Sequence, residues 1–233
     1  MAVEPNSRAG LEAAIVDLDG TLVDTVDDFV AALGAMLASF GLPAVDAAFV
    51  ARTVGKGSEH LLRRTLAEVG ADAGLYDAAM ADYQQQYRAI NGLHARVYPG
   101  AAEGLARLSS RGLRLACVTN KPTAFARELL QAKGLADHFS HVFGGDAFER
   151  RKPDPLPLQE TCAALGAAPR RTLMIGDSRN DAQAARAAGC PVVLVTYGYN
   201  HGEPVREVDA DAFVGRLDEI DIDALSQSLA RRR

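Results

Sequence analysis

The sequence predicts an α/β fold, in which a Rossmann-like, mostly parallel sheet core carries an inserted α-helical cap. Two observations lead to this prediction. Short apolar runs, typical of buried strands, alternate with helical patterns that end at glycines. After the first such run comes a stretch with helical patterns and no strand, and at roughly 70 residues it is too long for an ordinary crossover.

The predicted strands are near-continuous apolar runs, the pattern of parallel strands that are covered on both faces. They comprise residues 13–16, 113–118, 142–143, 172–175 and 192–195. Helices are expected between them at residues 101–110, 122–133 and 180–188. This alternation implies right-handed βαβ units and an open sheet.

The inserted stretch is predicted to be entirely helical. Its helices are expected at residues 26–40, 46–54, 59–69 and 75–90. Ser58 is expected to be the N-cap of the third, because serine side chains accept hydrogen bonds from the first free N–H groups of a helix. With linkers near Asp24-Thr25 and Arg96-Val97, the core comprises residues 1–24 and 97–233, and the cap comprises residues 25–96.

Composition limits the function classes. The chain has 233 residues, of which 48% are hydrophobic and 24% charged, an ordinary globular balance. Lys and Arg number 25 against 30 Asp and Glu, a net charge of −5, and the only basic tract is three terminal arginines. This argues against a nucleic-acid partner but leaves room for a small anionic substrate.

Location is predicted from the same sequence. The first ten residues lack the apolar core of a signal peptide, and no apolar run approaches the ~18 residues of a membrane span. Three cysteines without a CxxC pair suit a reducing compartment. We therefore expect a cytoplasmic protein with no membrane partner. No feature predicts an oligomeric state.

The most specific motif is Asp17-Leu18-Asp19-Gly20-Thr21, directly after the first predicted strand. Ligands of open α/β sheets bind at the carboxyl ends of the strands. Two carboxylates that converge there repel each other, so the site favours a cation or a shared proton. The alternative is a solvated acidic turn.

Further polar residues follow later strands. Thr119 and Asn120 follow the second strand, Lys152 lies in the loop after the third, and Asp177 and Asp181 follow the fourth. Each has an ordinary interpretation: Thr119 as a helix cap, Lys152 as a solvated charge, and Asp177 as an acid at a helix N-terminus. Together they place carboxylates, a hydroxyl, an amide and an ammonium on one sheet edge.

These motifs, in this order, resemble those of the haloacid dehalogenase-like phosphohydrolases, and the insert resembles the family's helical cap subclass. The resemblance covers nearly the whole chain. It extends to members that act on 2-phosphoglycolate through VTNKP (118–122), RKPDP (151–155), GDSRND (176–181) and TYGYNHGEP (196–204). It implies a phosphatase that hydrolyses 2-phosphoglycolate, a small phosphorylated metabolite.

The resemblance and the chemistry of phosphate esters suggest a role for each residue. Asp17 is the expected nucleophile, forming an aspartyl-phosphate, and Asp19 the expected acid and base. Mg²⁺ is expected to bind Asp17, the backbone carbonyl of Asp19, and Asp177. Thr119, Asn120 and Lys152 are expected to hold the phosphoryl oxygens. Asp181 is expected to orient Lys152 or a metal-bound water.

Alternatives of several kinds remain. The resemblance implies that an acid at position 19 favours ester hydrolysis or phosphoryl transfer between hydroxyls, because family members with other chemistry lack an acid there. The chain is therefore alternatively a phosphatase of another small phosphorylated metabolite, or a phosphomutase like β-phosphoglucomutase. A catalytically silent binding module is the third class, disfavoured by the intact set of Asp17, Asp19, Lys152 and Asp177.

Two further segments are candidates for substrate recognition. Lys56 lies between glycines just before a predicted helix, where a substrate carboxylate would meet an ammonium and free N–H groups. A flexible turn with an exposed lysine is the alternative. The loop around Tyr197, Tyr199 and His201 either forms the rim of the site or is a packed loop.

Overall fold

The computed structural model describes residues 10–231. The expectations for residues 1–9, which concern a signal peptide, and for the arginines at 232 and 233 lie outside the described residues. Within the described range, the helices are all too short or too polar to cross a membrane.

The secondary structure alternates as the sequence predicts. The strands of the described chain are β1 (Ala13–Val16), β2 (Val23–Asp24), β3 (Arg96–Val97), β4 (Arg114–Val118), β5 (His141–Phe143), β6 (Thr172–Gly176), β7 (Val192–Val195) and β8 (Ala212–Val214). The α-helices are α1 (Val26–Ser39), α2 (Ala47–Thr53), α3 (Ser58–Glu68), α4 (Tyr76–Ile90), α5 (Ala101–Ser110), α6 (Thr123–Ala132), α7 (Leu156–Leu165), α8 (Arg179–Ala188) and α9 (Ile222–Arg231).

Six strands form one parallel sheet in the order β5-β4-β1-β6-β7-β8. β1 is central, with Ala13 aligned to Arg114 of β4 on one side and to Thr172 of β6 on the other. The predicted α/β class is confirmed. Because β1, β4 and β6 are neighbours, the residues that follow them meet at one edge of the sheet.

Hydrophobic clusters cover both faces of this sheet. Side chains alternate along a strand, so Ala14 and Val16 of β1 contribute to a cluster with α5, α6 and α9. Ala13 and Ile15 contribute to the opposite cluster, with α7 and α8. Buried on both faces, β1 has no polar residue until Asp17, which places the first carboxylate at the point where the strand ends.

The helices α1–α4 form a third hydrophobic cluster of their own, in which α1 packs against α4. The two linkers of this segment pair as short antiparallel strands, Val23 with Val97 and Asp24 with Arg96. The sequence did not predict this pairing, because two-residue strands carry no periodic pattern. The division of the chain into core and cap stays a prediction.

One predicted cap residue is wrong. The helix α3 begins at Ser58 itself, and its N-cap is Gly57, with φ of 89°. Only glycine adopts this backbone conformation without strain, so the chain turns into the helix one residue earlier than expected.

Candidate active site

The DLDGT segment forms a tight turn at the end of β1. The Asp17 amide donates to the Ile175 carbonyl at 2.9 Å, which extends the β1–β6 ladder by one residue and fixes the Asp17 backbone. The Leu18 carbonyl then accepts from the Leu22 amide at 2.9 Å. Gly20 is left-handed, and a Cβ there would overlap the Asp177 carboxylate. The turn therefore brings the two acidic motifs into contact.

Three buried carboxylates converge at this edge. Asp17, Asp177 and Asp181 each place an oxygen within 4.8 Å of the others. Asp181 lies in the first turn of α8, where its Oδ2 accepts from the Asp177 and Ser178 amides at 3.2 and 3.1 Å. Asp177 Oδ2 accepts from the Tyr199 amide at 2.7 Å. The cluster is thus held by backbone contacts from two loops.

Lys152 is the cation of this cluster. Its side chain is 2% exposed, and its Nζ lies 3.0 Å from Asp17 Oδ1 and 2.7 Å from Asp181 Oδ1. It also donates to the Val118 carbonyl at 2.7 Å. Burial acts to lower the pKa of Lys152, but the two carboxylates outweigh burial and raise it. Lys152 is therefore a fixed positive charge, not a solvated one, and it donates a hydrogen bond to Asp181.

One ammonium does not balance three carboxylates. Burial raises the pKa of Asp17 to about 7, and the charge of Asp181 adds to this shift against the opposing charge of Lys152. Burial, followed by the charges of Asp181 and Asp17, raises the pKa of Asp177 well above its usual value. The cluster is therefore short of positive charge.

The donor set fits a hard divalent cation. Its atoms are carboxylate oxygens, the ligands that such cations prefer. Asp17 Oδ1 is buried and has the Lys152 ammonium at 3.0 Å as its charged neighbour. Three carboxylates within 4.8 Å of one another and a single ammonium leave an excess of negative charge that a divalent cation would neutralise. The predicted contribution of the Asp19 carbonyl stays a prediction.

The side chain of Asp19 contacts a residue that sequence reasoning missed. Lys121 Nζ donates to Asp19 Oδ1 at 2.9 Å and to the Tyr87 hydroxyl of α4 at 2.6 Å. The Lys121 side chain is 2% exposed. It follows Asn120 in the loop after β4, so the sequence marked its position at the sheet edge but not its burial.

Thr119 and Asn120 also lie at the site. Thr119 is buried and lines the cavity over Asp17, while the N-cap of α6 is Pro122, so the interpretation of Thr119 as the cap of that helix is wrong. The Asn120 side-chain amide donates to the Gly55 and Lys152 carbonyls at 2.9 and 2.8 Å. That amide cannot also hold a phosphoryl group without breaking one of these bonds.

The two candidate recognition segments differ in position. The Lys56 side chain is exposed and does not line the cavity, although Gly55 and Gly57 do. The loop of Tyr197 and Tyr199 overhangs the acidic cluster. The Tyr199 hydroxyl donates to Asp24 Oδ1 and accepts from the Thr25 amide, both at 2.7 Å. This loop therefore joins Asp177 to the first linker of the helical segment.

The cavity between the sheet edge and the helical segment has two different ends. Asp17, Asp19, Thr119 and Asn120 form the polar end. The other end is mostly apolar, apart from the buried ammonium of Lys121. Its lining consists of Phe29, Val54, Leu61, Tyr87, Lys121 and Pro122, with Gly55, Gly57 and Ser58 at the rim. The arrangement combines buried carboxylates, a fixed positive charge and an adjoining cavity with a polar end and an apolar end.

Comparison with known proteins gives consistent results. A family model described as haloacid dehalogenase-like hydrolase matches residues 11–189. A protein from Thiobacillus denitrificans named phosphoglycolate phosphatase is 44% identical over 212 residues, which are 90% of this chain and 93% of that protein. A protein of the same name from Nitrosospira multiformis is 43% identical, with the same coverage of both chains.

A solved structure shares the architecture. The crystal structure of a protein from Haemophilus somnus 129PT, described as a predicted phosphoglycolate phosphatase, superimposes with a TM-score of 0.87 at 30% identity. The match covers 94% of this chain and 98% of that one. The similarity thus extends over nearly the whole chain.

Proposed function

The chain belongs to the haloacid dehalogenase-like hydrolase family, and from this premise we propose that it hydrolyses 2-phosphoglycolate to glycolate and phosphate. The observation that carries the proposal is the convergence of Asp17, Asp177 and Asp181 with Lys152 at the carboxyl end of β1. The names of the relatives supply the substrate. The cavity beside this cluster is small, and its far end is mostly apolar. It therefore suits a two-carbon leaving group better than a sugar, because the hydroxyls of a sugar need many hydrogen-bond partners.

In the proposed mechanism, Asp17 attacks phosphorus and forms an aspartyl-phosphate while the leaving alcohol departs. Lys152, held by Asp181, places positive charge beside the attacked group, and the Thr119 hydroxyl is positioned to donate to a phosphoryl oxygen. Asp19 gives a proton to the leaving oxygen and then takes one from the water that hydrolyses the aspartyl-phosphate.

We propose Mg²⁺ as the cation of the acidic cluster, held by Asp17 and Asp177. When bound, it neutralises charge between the carboxylates and the phosphate. Asp181 keeps its place as the partner of Lys152 and of two backbone amides. In this proposal, Asp17 and Asp177 are the metal ligands, and Asp181 is the hydrogen-bond partner of Lys152.

We also propose that helices α1–α4 act as a cap that excludes water from the aspartyl-phosphate step. The segment contacts the site through Gly55, whose carbonyl accepts from Asn120, and through Tyr87, which accepts from Lys121. The expectations of a cytoplasmic protein without membrane or nucleic-acid partners stay predictions.

The test is phosphate release from a panel of 2-phosphoglycolate, p-nitrophenyl phosphate and β-glucose 1-phosphate, with Mg²⁺ and after chelation. We expect the highest kcat/KM with 2-phosphoglycolate and no turnover without metal. Conversion of β-glucose 1-phosphate to glucose 6-phosphate without phosphate release would identify a phosphomutase instead. Absence of turnover with every substrate would indicate a silent binding module.

A further inference from the structure

Lys121 is a buried cation that the proposed phosphoryl-transfer chemistry does not use. Lys152 already supplies the positive charge beside Asp17. The Lys121 ammonium has three N–H donors, and its partners in the described part of the chain are Asp19 Oδ1 and the Tyr87 hydroxyl. One donor is left over at the wall of the cavity.

The surroundings of Lys121 strengthen its attraction for an anion. Its Nζ lies 4.6 Å from the ring centre of Phe29 and 4.9 Å from that of Tyr87. With water excluded by these rings, an ion pair is much stronger than at the protein surface. Burial also raises the pKa of Tyr87 well above its usual value, so its hydroxyl keeps its proton. Because that oxygen accepts from Lys121, its proton is left to donate to a ligand.

A second tyrosine on the same helix, Tyr83, also has a buried hydroxyl. Tyr83 lies one turn before Tyr87 and stacks on its ring, with centres 5.7 Å apart. The Tyr83 hydroxyl is buried and has no hydrogen-bond partner within residues 10–231. Tyr83 does not line the cavity, so the groups there with a donor to spare are the Lys121 ammonium and the Tyr87 hydroxyl.

The position of Lys121 relative to Asp19 matches the shape of the proposed substrate. The leaving oxygen must contact Asp19, and Lys121 Nζ is 2.9 Å from that carboxylate. In 2-phosphoglycolate the carboxylate carbon is two bonds from the leaving oxygen, a reach of roughly 2.5 Å. A group that contacts Asp19 is thus placed to contact the substrate carboxylate.

We propose that Lys121, assisted by the Tyr87 hydroxyl, determines specificity by binding the carboxylate of the leaving group; this inference rests on the proposed function. Without such a substrate, Lys121 stays paired with Asp19 at 2.9 Å. A substrate carboxylate binds the Lys121 ammonium in place of Asp19, which leaves the Asp19 side chain free to contact the leaving oxygen. Specificity is then expressed in turnover as well as in binding.

Lys121 and Lys56 are therefore rival candidates for this role. Lys56 is exposed, so water competes for its charge and screens it, whereas Lys121 lies inside the cavity. Lys133, at the end of α6, lies outside the cavity lining and provides a matched control for loss of one lysine charge.

The experiment compares 2-phosphoglycolate with ethylene glycol monophosphate, which has CH₂OH in place of the carboxylate and the same chain length. The full-length wild type and the variants Lys121→Met, Lys121→Arg, Tyr87→Phe, Lys56→Met and Lys133→Met are assayed with Mg²⁺. Thermal melting and circular dichroism of each variant monitor folding. Lys121→Arg retains the charge, so it keeps the inference testable if the methionine variant does not fold.

We expect Lys121→Met to lose roughly tenfold to a hundredfold in kcat/KM for 2-phosphoglycolate, the range for a lost hydrogen bond to a charged group. The loss in kcat/KM for ethylene glycol monophosphate should be at least several times smaller, because that ester has no carboxylate for Lys121 to bind. Tyr87→Phe should show a smaller loss of the same kind, Lys121→Arg should keep part of the preference, and Lys133→Met should behave as wild type.

Equal losses on both substrates would overturn the inference and make Lys121 a positioning residue for Asp19. If only Lys56→Met loses kcat/KM selectively for 2-phosphoglycolate, Lys56 and not Lys121 binds the substrate carboxylate. In both cases a wild type that prefers 2-phosphoglycolate leaves the proposed function standing. A wild type that prefers ethylene glycol monophosphate, or hydrolyses neither ester, contradicts the proposed function and this inference together.

Discussion

Asp17 is the residue on which the proposed chemistry depends most directly. We expect Asp17→Asn to reduce turnover by roughly 10⁴–10⁶-fold, the size of loss found when a covalent nucleophile is removed. Because burial disfavours the charged form of this carboxylate, the amide should leave the metal-free fold at least as stable. Phosphate release and thermal melting measure both effects.

The matched control for this variant is Asp27→Asn, which replaces an exposed aspartate on α1 that forms an ion pair with Arg96 at 3.9 Å. It should behave as wild type in both assays. A well-folded Asp17→Asn variant with turnover near that of wild type would refute the nucleophile assignment, and acid-quench mass spectrometry of the wild type should find phosphate on Asp17.

Asp177 tests the metal site independently of activity. At 100 times the dissociation constant, Mg²⁺ should stabilise the wild type by about 2.7 kcal/mol, which raises Tm by roughly 5–10 °C in a protein of this size. Burial, followed by the charges of Asp181 and Asp17, raises the pKa of Asp177, so its ionised form destabilises the metal-free fold at neutral pH. We therefore expect Asp177→Asn to melt at or above the metal-free wild type and to lose most of the Mg²⁺ shift.

Differential scanning fluorimetry with chelator and with added Mg²⁺ gives both values. The control is again Asp27→Asn, which should keep the full shift. A full Mg²⁺ shift in Asp177→Asn would remove this residue from the metal site and would leave the Asp17 assignment untouched.

The site residues that could be predicted from the sequence are those that directly follow a predicted strand, because the strand fixes their position. Asp17 and Asp177 directly follow apolar runs, so the parallel sheet alone brings them together. Lys121 also follows a strand, but its burial is made by Phe29 and Tyr87 of the helical segment. A lysine in a loop is ordinarily solvated, and nothing local to residue 121 indicates a covering helix.

Among the elements, the loop at residues 196–204 connects the acidic cluster to the helical segment. The Tyr199 amide donates to Asp177, and the Tyr199 hydroxyl accepts from the buried Thr25 amide at the start of α1. We expect Tyr199→Phe to leave that amide without a partner, which costs about 1–3 kcal/mol. Hydrogen exchange in the first turn of α1 should rise accordingly, and kcat/KM for 2-phosphoglycolate should fall.

Tyr197→Phe is the matched control in the same loop, because the Tyr197 hydroxyl donates to the Thr21 carbonyl and does not contact the linker. It should leave exchange at the start of α1 unchanged. If both variants raise that exchange equally, the loop stabilises the site as a whole and does not specifically join it to the linker.

Elements with strong local patterns were predictable, and those without were not. The strand at residues 192–195 is fully apolar and lies where the sequence predicts. The edge strand β8 has three half-buried residues and no such run. The helix α7 was missed because prolines at its start, with Pro157 in the first turn, are typical of loops as well as of helix N-termini. The local sequence pattern therefore does not distinguish a loop from the start of a helix at these prolines.

On the scale of the whole molecule, Phe125 links the sheet core to the helical segment. It lies on α6, yet its ring packs in the cluster of α1–α4 and meets the Tyr87 ring edge-on at 5.1 Å. Its carbonyl also accepts from the Asn91 side chain at 3.0 Å. Leu129, one turn later on the same helix, packs in the sheet cluster instead. One helix therefore contributes to two hydrophobic clusters.

This arrangement predicts that the two clusters can be destabilised separately. Phe125→Ala should lower the free energy of unfolding of its cluster by about 3–5 kcal/mol, and Leu129→Ala that of the sheet cluster by about 2–5 kcal/mol. Since Phe125 contacts α1–α4, its loss should raise hydrogen exchange in residues 26–90 while β1, β4 and β6 keep their protection. Leu129→Ala should raise exchange across the sheet.

Because Lys121 is buried by the same helices, Phe125→Ala should also lower the preference for 2-phosphoglycolate over ethylene glycol monophosphate. Uniform loss of protection in both variants would show that the helical segment and the sheet unfold as one cooperative unit, and a cap that moves independently would then be excluded.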